Sequence, residues 1–226
     1  MSFPLYDYTI LPCDSERVRQ WAPKFIDFRL TALKSAPRNS TSSHELEAAI
    51  PEQEWVLNLS KPTFRVLLST PHLAGDAATP LWDREWAGIL CMHGPLYEHP
   101  AADNCTTSTW YLGSGFVVPD HRGSRVMFDL FHFGVQQARI LDLKQHNQRG
   151  FQTAQCRTRV QVIARADEPK VINYYRTGGL EITEHLTLGE FSKRGPNLLY
   201  KLDHLAMPIV VMEKYVEHEV AIISRL

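Results

Sequence analysis

Apolar positions recur along this chain in two rhythms, one of about two residues and one of about 3.6, and the alternation between them predicts an ordered series of elements. YDYTIL (6–11) reads as a short first strand. Asp14 or Ser15 then offers an N-cap. Val18, Trp21, Ala22, Phe25, Ile26 and Leu33 follow at helical spacing, with Pro23 expected to kink or split that helix. SHELEAAI suggests a brief second helix that stops before Pro51. TFRVLLST (63–70) and EWAGILCMHG (85–94) read as strands that pair through the Pro-, Gly- and Asp-containing segment between them. TSTWYLGSGFVV (107–118) is a third strand, and its Gly113 and Gly115 mark a bulge or a close backbone approach.

Met127, Leu130, Phe131, Gly134, Ala138 and Leu141 then lie on one face of the clearest helix on the chain. TRVQVIARA (158–166) is apolar enough for an interior strand. EPKVINYYRTGG reads as a helix with Pro169 in its first turn and Gly178 and Gly179 at its end. LEITEHLTL and IVVMEKYV supply two last strands, the acidic run MEKYVEHEV being read as a solvated strand face. The Ser-, Pro- and Asn-rich stretch 35–45 separates helices rather than domains. The order predicts one α/β domain over 1–226 on a mixed sheet flanked by helices.

Composition narrows the function. The 226 residues, 44% hydrophobic, suffice for a substantial core, and 24 basic against 25 acidic residues give no footprint for nucleic acid. No apolar run approaches a membrane span, and no basic-then-apolar leader opens the chain. The four cysteines are scattered without a C-x-x-C pair, and the ten histidines show no H-x-x-x-H spacing, so no metal site is expected. Together these predict a cytoplasmic protein with reduced thiols.

Two segments carry a likeness. VVPDHRGSRV (117–126) is similar to the V-x-P-x-x-R-G-x-G-x-G turn of the GNAT superfamily of acyl-CoA-dependent N-acyltransferases. DEPKVINYYRTGGLEI (167–182) resembles that family's N-x-x-A-x-x-L-Y-x-x-x-G-F segment, and the two stand in the family's order with a helix and a strand between them. The resemblance implies a GNAT-like, mostly antiparallel sheet and acetyl-CoA or another acyl-CoA as co-substrate. It further implies that Val117 and the turn Arg122, Gly123, Ser124, Arg125, Val126 and Met127 hold the cofactor. Tyr175, at the family's tyrosine position, would protonate the departing thiolate, while Tyr174 would pack. The departures are Arg125 and Met127, which replace two glycines, Glu168 where asparagine is frequent, and Leu180 for phenylalanine. A homodimer is an assembly common in that superfamily.

The physical logic of such a turn is that backbone N–H groups and a helix N-terminus converge on one anion. If position 125 requires φ > 0, an arginine there costs about 1 kcal/mol. A base must also take the amine's proton, and His93, His121 and Glu85 are the candidates. Trp82, Trp86, Trp110 and Tyr111 read first as core and cleft wall. The leading expectation is N-acylation of a small molecule. The alternatives are a CoA-independent lyase or cyclase on the same scaffold, its turn filled by Arg125 and Met127, and a non-catalytic binding protein.

Overall fold

The computed structural model describes residues 5–72, 79–98, 105–149, 155–194 and 202–219. Seven strands form one sheet: β1 (Tyr6–Ile10), β2 (Phe64–Pro71), β3 (Gly88–Glu98), β4 (Cys105–Val117), β5 (Gln155–Arg165), β6 (Glu181–Thr187) and β7 (Pro208–Glu219). Their spatial order is β1-β2-β3-β4-β5-β7-β6, and every neighbouring pair is antiparallel except β4 with β5. The helices are α1 (Ser15–Ser35), α2 (His44–Ala48), α3 (Glu52–Leu59), α4 (Val126–Arg149), α5 (Pro169–Thr177) and α6 (Leu188–Ser192).

Strand alternation sends side chains to two differently covered faces. On one face Leu90, Met92, Trp110, Leu112, Val160, Val162, Val210 and Met212 pack on Val126, Leu130, Phe131 and Ala138 of α4 and on Ile172 of α5. Gly134 permits this contact, since a Cβ there would lie 3.0 Å from Leu67 Cδ1. On the other face Val66, Leu68, Ile89, Cys91 and Phe116 meet Trp21, Phe25, Trp55 and Leu59 of α1 and α3. Further along that face, Leu188 and Phe191 of α6 cover Ile209 and Val211.

Three local outcomes differ from the sequence expectation. α1 runs unbroken through Pro23, whose ring is exposed. The carbonyl it leaves without a donor belongs to Arg19, also exposed, so the missing bond falls on the solvent side. Two short helices, α3 and α6, are additional. Glu213, expected on a solvated face, is 8% exposed. The family resemblance also implies that the hairpin 186–209 shapes an acceptor site; its segment 195–201 lies outside the described residues, as do residues 73–78 of the connection from β2 to β3.

Candidate active site

The sheet opens along one seam. β4 and β5 pair from Cys105 with Gln155 to Tyr111 with Gln161, and no further. Beyond that rung β4 stays on β3 as far as Val117 opposite Gly88, and β5 stays on β7 as far as Arg165 opposite Ile209. Each strand keeps one neighbour, and the two diverge. The edges of 112–117 and 162–165 that face the gap therefore carry backbone groups that no strand pairs, which suits a ligand with amides of its own. The bulge expected at the glycines lies on this edge: Gly113 stands opposite Cys91 and Phe116 opposite Ile89, with Ser114 at φ 55.

At the open end β4 enters the turn 118–125 and then α4. Gly123 (φ 82) and Arg125 (φ 64) are both left-handed, so the arginine occupies the strained position that a glycine would fill freely. The turn bounds a hollow of about 270 Å³ lined by Val117, His121, Arg122, Gly123 and Arg125, by Val126, Met127 and Phe128 of the first turn of α4, and by Tyr174 of α5. The two bulky residues line the hollow without filling it. Arg125 is exposed, with its guanidinium 5.0 Å from the Phe128 ring centroid and 3.9 Å from Asp129 Oδ1. Met127 turns down onto β4, where a Cβ at Gly115 would lie 3.0 Å from its sulfur. Nothing lies within 4 Å of the space a Cβ at Gly123 would take. Arg122 folds back, its Nε donating to Val117 O at 3.1 Å.

The fold that carries this seam and turn is similar to known structures. The chain aligns over 93% of its length with 100% of a GNAT-family acetyltransferase from Streptococcus pneumoniae, at 12% identity and a TM-score of 0.54. It aligns over 94% of its length with 99% of Arabidopsis thaliana NAA60 at 10% identity, with TM-scores of 0.51 for the acetyl-CoA complex and 0.52 for a bisubstrate-analogue complex. The chain has the GNAT fold. No protein-family model and no curated protein matches the sequence.

Within the GNAT fold, the residues singled out in the sequence separate into distinct surroundings. His121 shares hydrogen bonds of 3.0 Å with Tyr6 Oη at Nδ1 and with Glu85 Oε1 at Nε2. Both ring nitrogens are engaged, so His121 ties the turn to β1 and to Glu85 and has no free nitrogen for a substrate proton. His93, on β3, stacks edge-on to Phe64 at 4.5 Å. Burial, then Lys61, lowers its pKa to about 4, so it is neutral at pH 7 and a weak base.

The adjacent tyrosines of α5 point differently. Tyr175 packs 5.8 Å from Phe131, and burial pushes its phenol up to about 12, so it keeps its proton at neutral pH. Tyr174 lines the hollow, and its hydroxyl is buried without a hydrogen-bond partner. A buried donor left unpaired costs about 1–3 kcal/mol, which a ligand in the hollow would recover. The sequence reading assigned Tyr174 to packing; its orphaned hydroxyl is the feature that reading missed.

One more constellation was not legible in the sequence. At the rung where β4 and β5 part, the registers align His93, Tyr111, Gln161, Glu213 and Glu181 in one transverse row across β3, β4, β5, β7 and β6. Tyr111 meets α6 through Phe191 at 5.8 Å, so the row faces away from α4. Gln161 Nε2 donates to Glu213 Oε1, and Tyr215 Oη donates to Glu213 Oε2 at 3.0 Å. Gln161 Oε1 is buried and unpartnered. Across the mouth, Arg165 Nη1 donates to Arg38 O at 3.5 Å, bringing the segment after α1 over to the end of β5. Among the described residues no group of His, Cys, Asp and Glu side chains could hold a metal ion, and no helix is long and apolar enough to cross a membrane.

Proposed function

We propose that the protein is an acyl-CoA-dependent N-acyltransferase that moves an acetyl or other short acyl group to the amine of a small molecule. The observation that carries this reading is the parted seam ending in an unfilled hollow at the N-terminus of α4. Backbone N–H groups of the turn and the first turn of α4, with the charges of Arg122 and Arg125, suit a diphosphate there. The unpaired edge of β4 suits the amide-bearing arm that follows the diphosphate in coenzyme A. The orphaned Tyr174 hydroxyl would donate to that same ligand. A CoA-independent reading drew on Arg125 and Met127 filling the turn, and their placement along its walls favours the transferase instead.

The chemistry joins the amine nitrogen to the thioester carbonyl carbon, breaks the carbon–sulfur bond, and needs a proton delivered to the leaving sulfur. Tyr175, protonated at neutral pH, is the group we assign to that delivery, and Tyr174 is assigned to binding. The assignments separate kinetically: Tyr175→Phe should lower kcat by about tenfold to a hundredfold with KM for the acyl-CoA little changed, and Tyr174→Phe should raise that KM. The deciding experiment is a thermal-shift titration with acetyl-CoA and propionyl-CoA. Ligand at about a hundred times its dissociation constant should add about 2.7 kcal/mol of stability. No shift at millimolar concentration of either would reject the proposal.

A further inference from the structure

We infer that Glu213 and Gln161 form the receptor for the acceptor's amino group, and that the acceptor is therefore a small amine carrying positive charge at neutral pH. This deepens the transferase reading and rests on it. Three observations support it. Glu213 and Gln161 are 8% and 6% exposed, yet Glu213 has no ion-pair partner among the described residues. Among the described residues its donors are the Gln161 amide and the Tyr215 hydroxyl, both neutral. A carboxylate taken from water without a cation is costly unless something supplies one.

The neighbours add to the deficit. Glu181 lies directly opposite Glu213 across β6 and β7, a like-charged cross-strand pair that by itself is unfavourable. The cations nearest in register do not form an ion pair with the carboxylate: Arg159 Nε donates to Thr109 Oγ1 at 2.9 Å and its side chain reaches Tyr215, which itself donates to Glu213, while Arg157 pairs with Glu217 at 2.9 Å. Lys214 points to the other face, where its Nζ donates to Gly178 O. Finally, Gln161 Oε1 is a buried acceptor with no donor. An alkylammonium has three donors and one charge. Placed beside this pair it would complete the Gln161 carbonyl and neutralise the carboxylate.

Location gives the pair its role. Gln161 is on the last shared rung of β4 and β5, the vertex from which the strands part. A thioester arm entering along the β4 edge would end its path there, so a nitrogen held by Glu213 and Gln161 would wait at the same point. A hydroxyl acceptor would satisfy the carbonyl but leave the charge uncompensated, which is the basis for selectivity toward amines.

The test uses the full chain, with 2-phenylethylamine and 1,4-diaminobutane as probes and 2-phenylethanol as the uncharged control. Each is titrated by calorimetry at pH 7, with and without acetyl-CoA. At least one amine should bind the wild type more tightly than the alcohol. Glu213→Gln, which preserves shape, should weaken that amine by about tenfold or more and leave acetyl-CoA affinity unchanged. Gln161→Leu is the second variant, expected to weaken the amine with the carboxylate intact. The inference is overturned if neither amine binds, if the alcohol binds equally well, or if both folded variants bind the amine as the wild type does. Loss of acetyl-CoA binding in the wild type with amine binding retained would instead sink the transferase reading, so the two failures are distinguishable.

Discussion

Asp142 and Glu213 are buried against opposite faces of the sheet, and the two are provisioned differently. On the α4 face Asp142 is fully buried and accepts from Ser108 Oγ, from Thr158 Oγ1, and from Trp110 Nε1 at 2.8 Å. Those donors come from β4 and β5 in the region where the strands are still paired, so Asp142 rivets the closed half of the seam to α4. On the other face Glu213 receives two donors, stands opposite Glu181, and shares its rung with an unpartnered carbonyl. Burial alone does not mark a functional acid. What distinguishes Glu213 is the shortfall in its surroundings, because a fully supplied carboxylate has nothing left to offer a ligand.

The contrast is sharpest in stability. Asp142→Ala strands three buried donors and should destabilise the fold by about 4 kcal/mol in denaturant unfolding. Glu213→Gln removes a buried carboxyl group that has no ion-pair partner among the described residues and should leave stability within about 1 kcal/mol of wild type, or raise it. Equal losses would dissolve the distinction between the two acids.

His93, in the same transverse row as Glu213, tests whether that face penalises charge in general. Its pKa falls from 6.5 to about 4 on folding. The unfolded chain therefore binds a proton first, and stability is full above pH 6.5 and lost as pH falls from 6.5 toward 4. The loss amounts to about 3 kcal/mol at most. His93→Gln should flatten the acid limb of the stability curve in that window. An unchanged limb would mean the face tolerates an imidazolium.

The smallest effect concerns the turn. Arg125 holds φ 64 with its side chain exposed, so Arg125→Gly should relieve about 1 kcal/mol of backbone strain. It should also weaken acyl-CoA binding by removing a cation from the hollow. A gain in both properties would show that the arginine only narrows the entrance.

Much of this architecture was legible in the sequence, because strand and helix periodicities are local. The Asp14 cap and the β4 bulge at its glycines follow from residue chemistry near their own place in the chain, whereas the left-handed position of Arg125 was signalled only by its standing where the resembling family has a glycine. α6 had a readable signal as well, since Thr187 and Glu190 form a capping box. α3 opens behind Pro51, a residue that starts helices as readily as it ends them. The candidate site was less legible. Gln161 sits inside an apolar run, and Glu213 opens a polar one; only the register of β5 on β7 brings them side by side. Glu213 does share parity with buried Ile209 and Val211, a local hint that its side is not the wet one. The split between Tyr174 and Tyr175 depends on how α5 docks, which one helix's sequence does not contain.

The position of β7 has a consequence for biosynthesis. Of the seven strands described, the one latest in the sequence is not at the border of the sheet but between β5 and β6, both completed earlier. Until Pro208–Glu219 leaves the ribosome, β5 and β6 each present a bare margin that could recruit another nascent chain. The final strand thus acts as a keystone: a message cut short ahead of Pro208 would yield not a slightly smaller protein but one with an open slot through its middle.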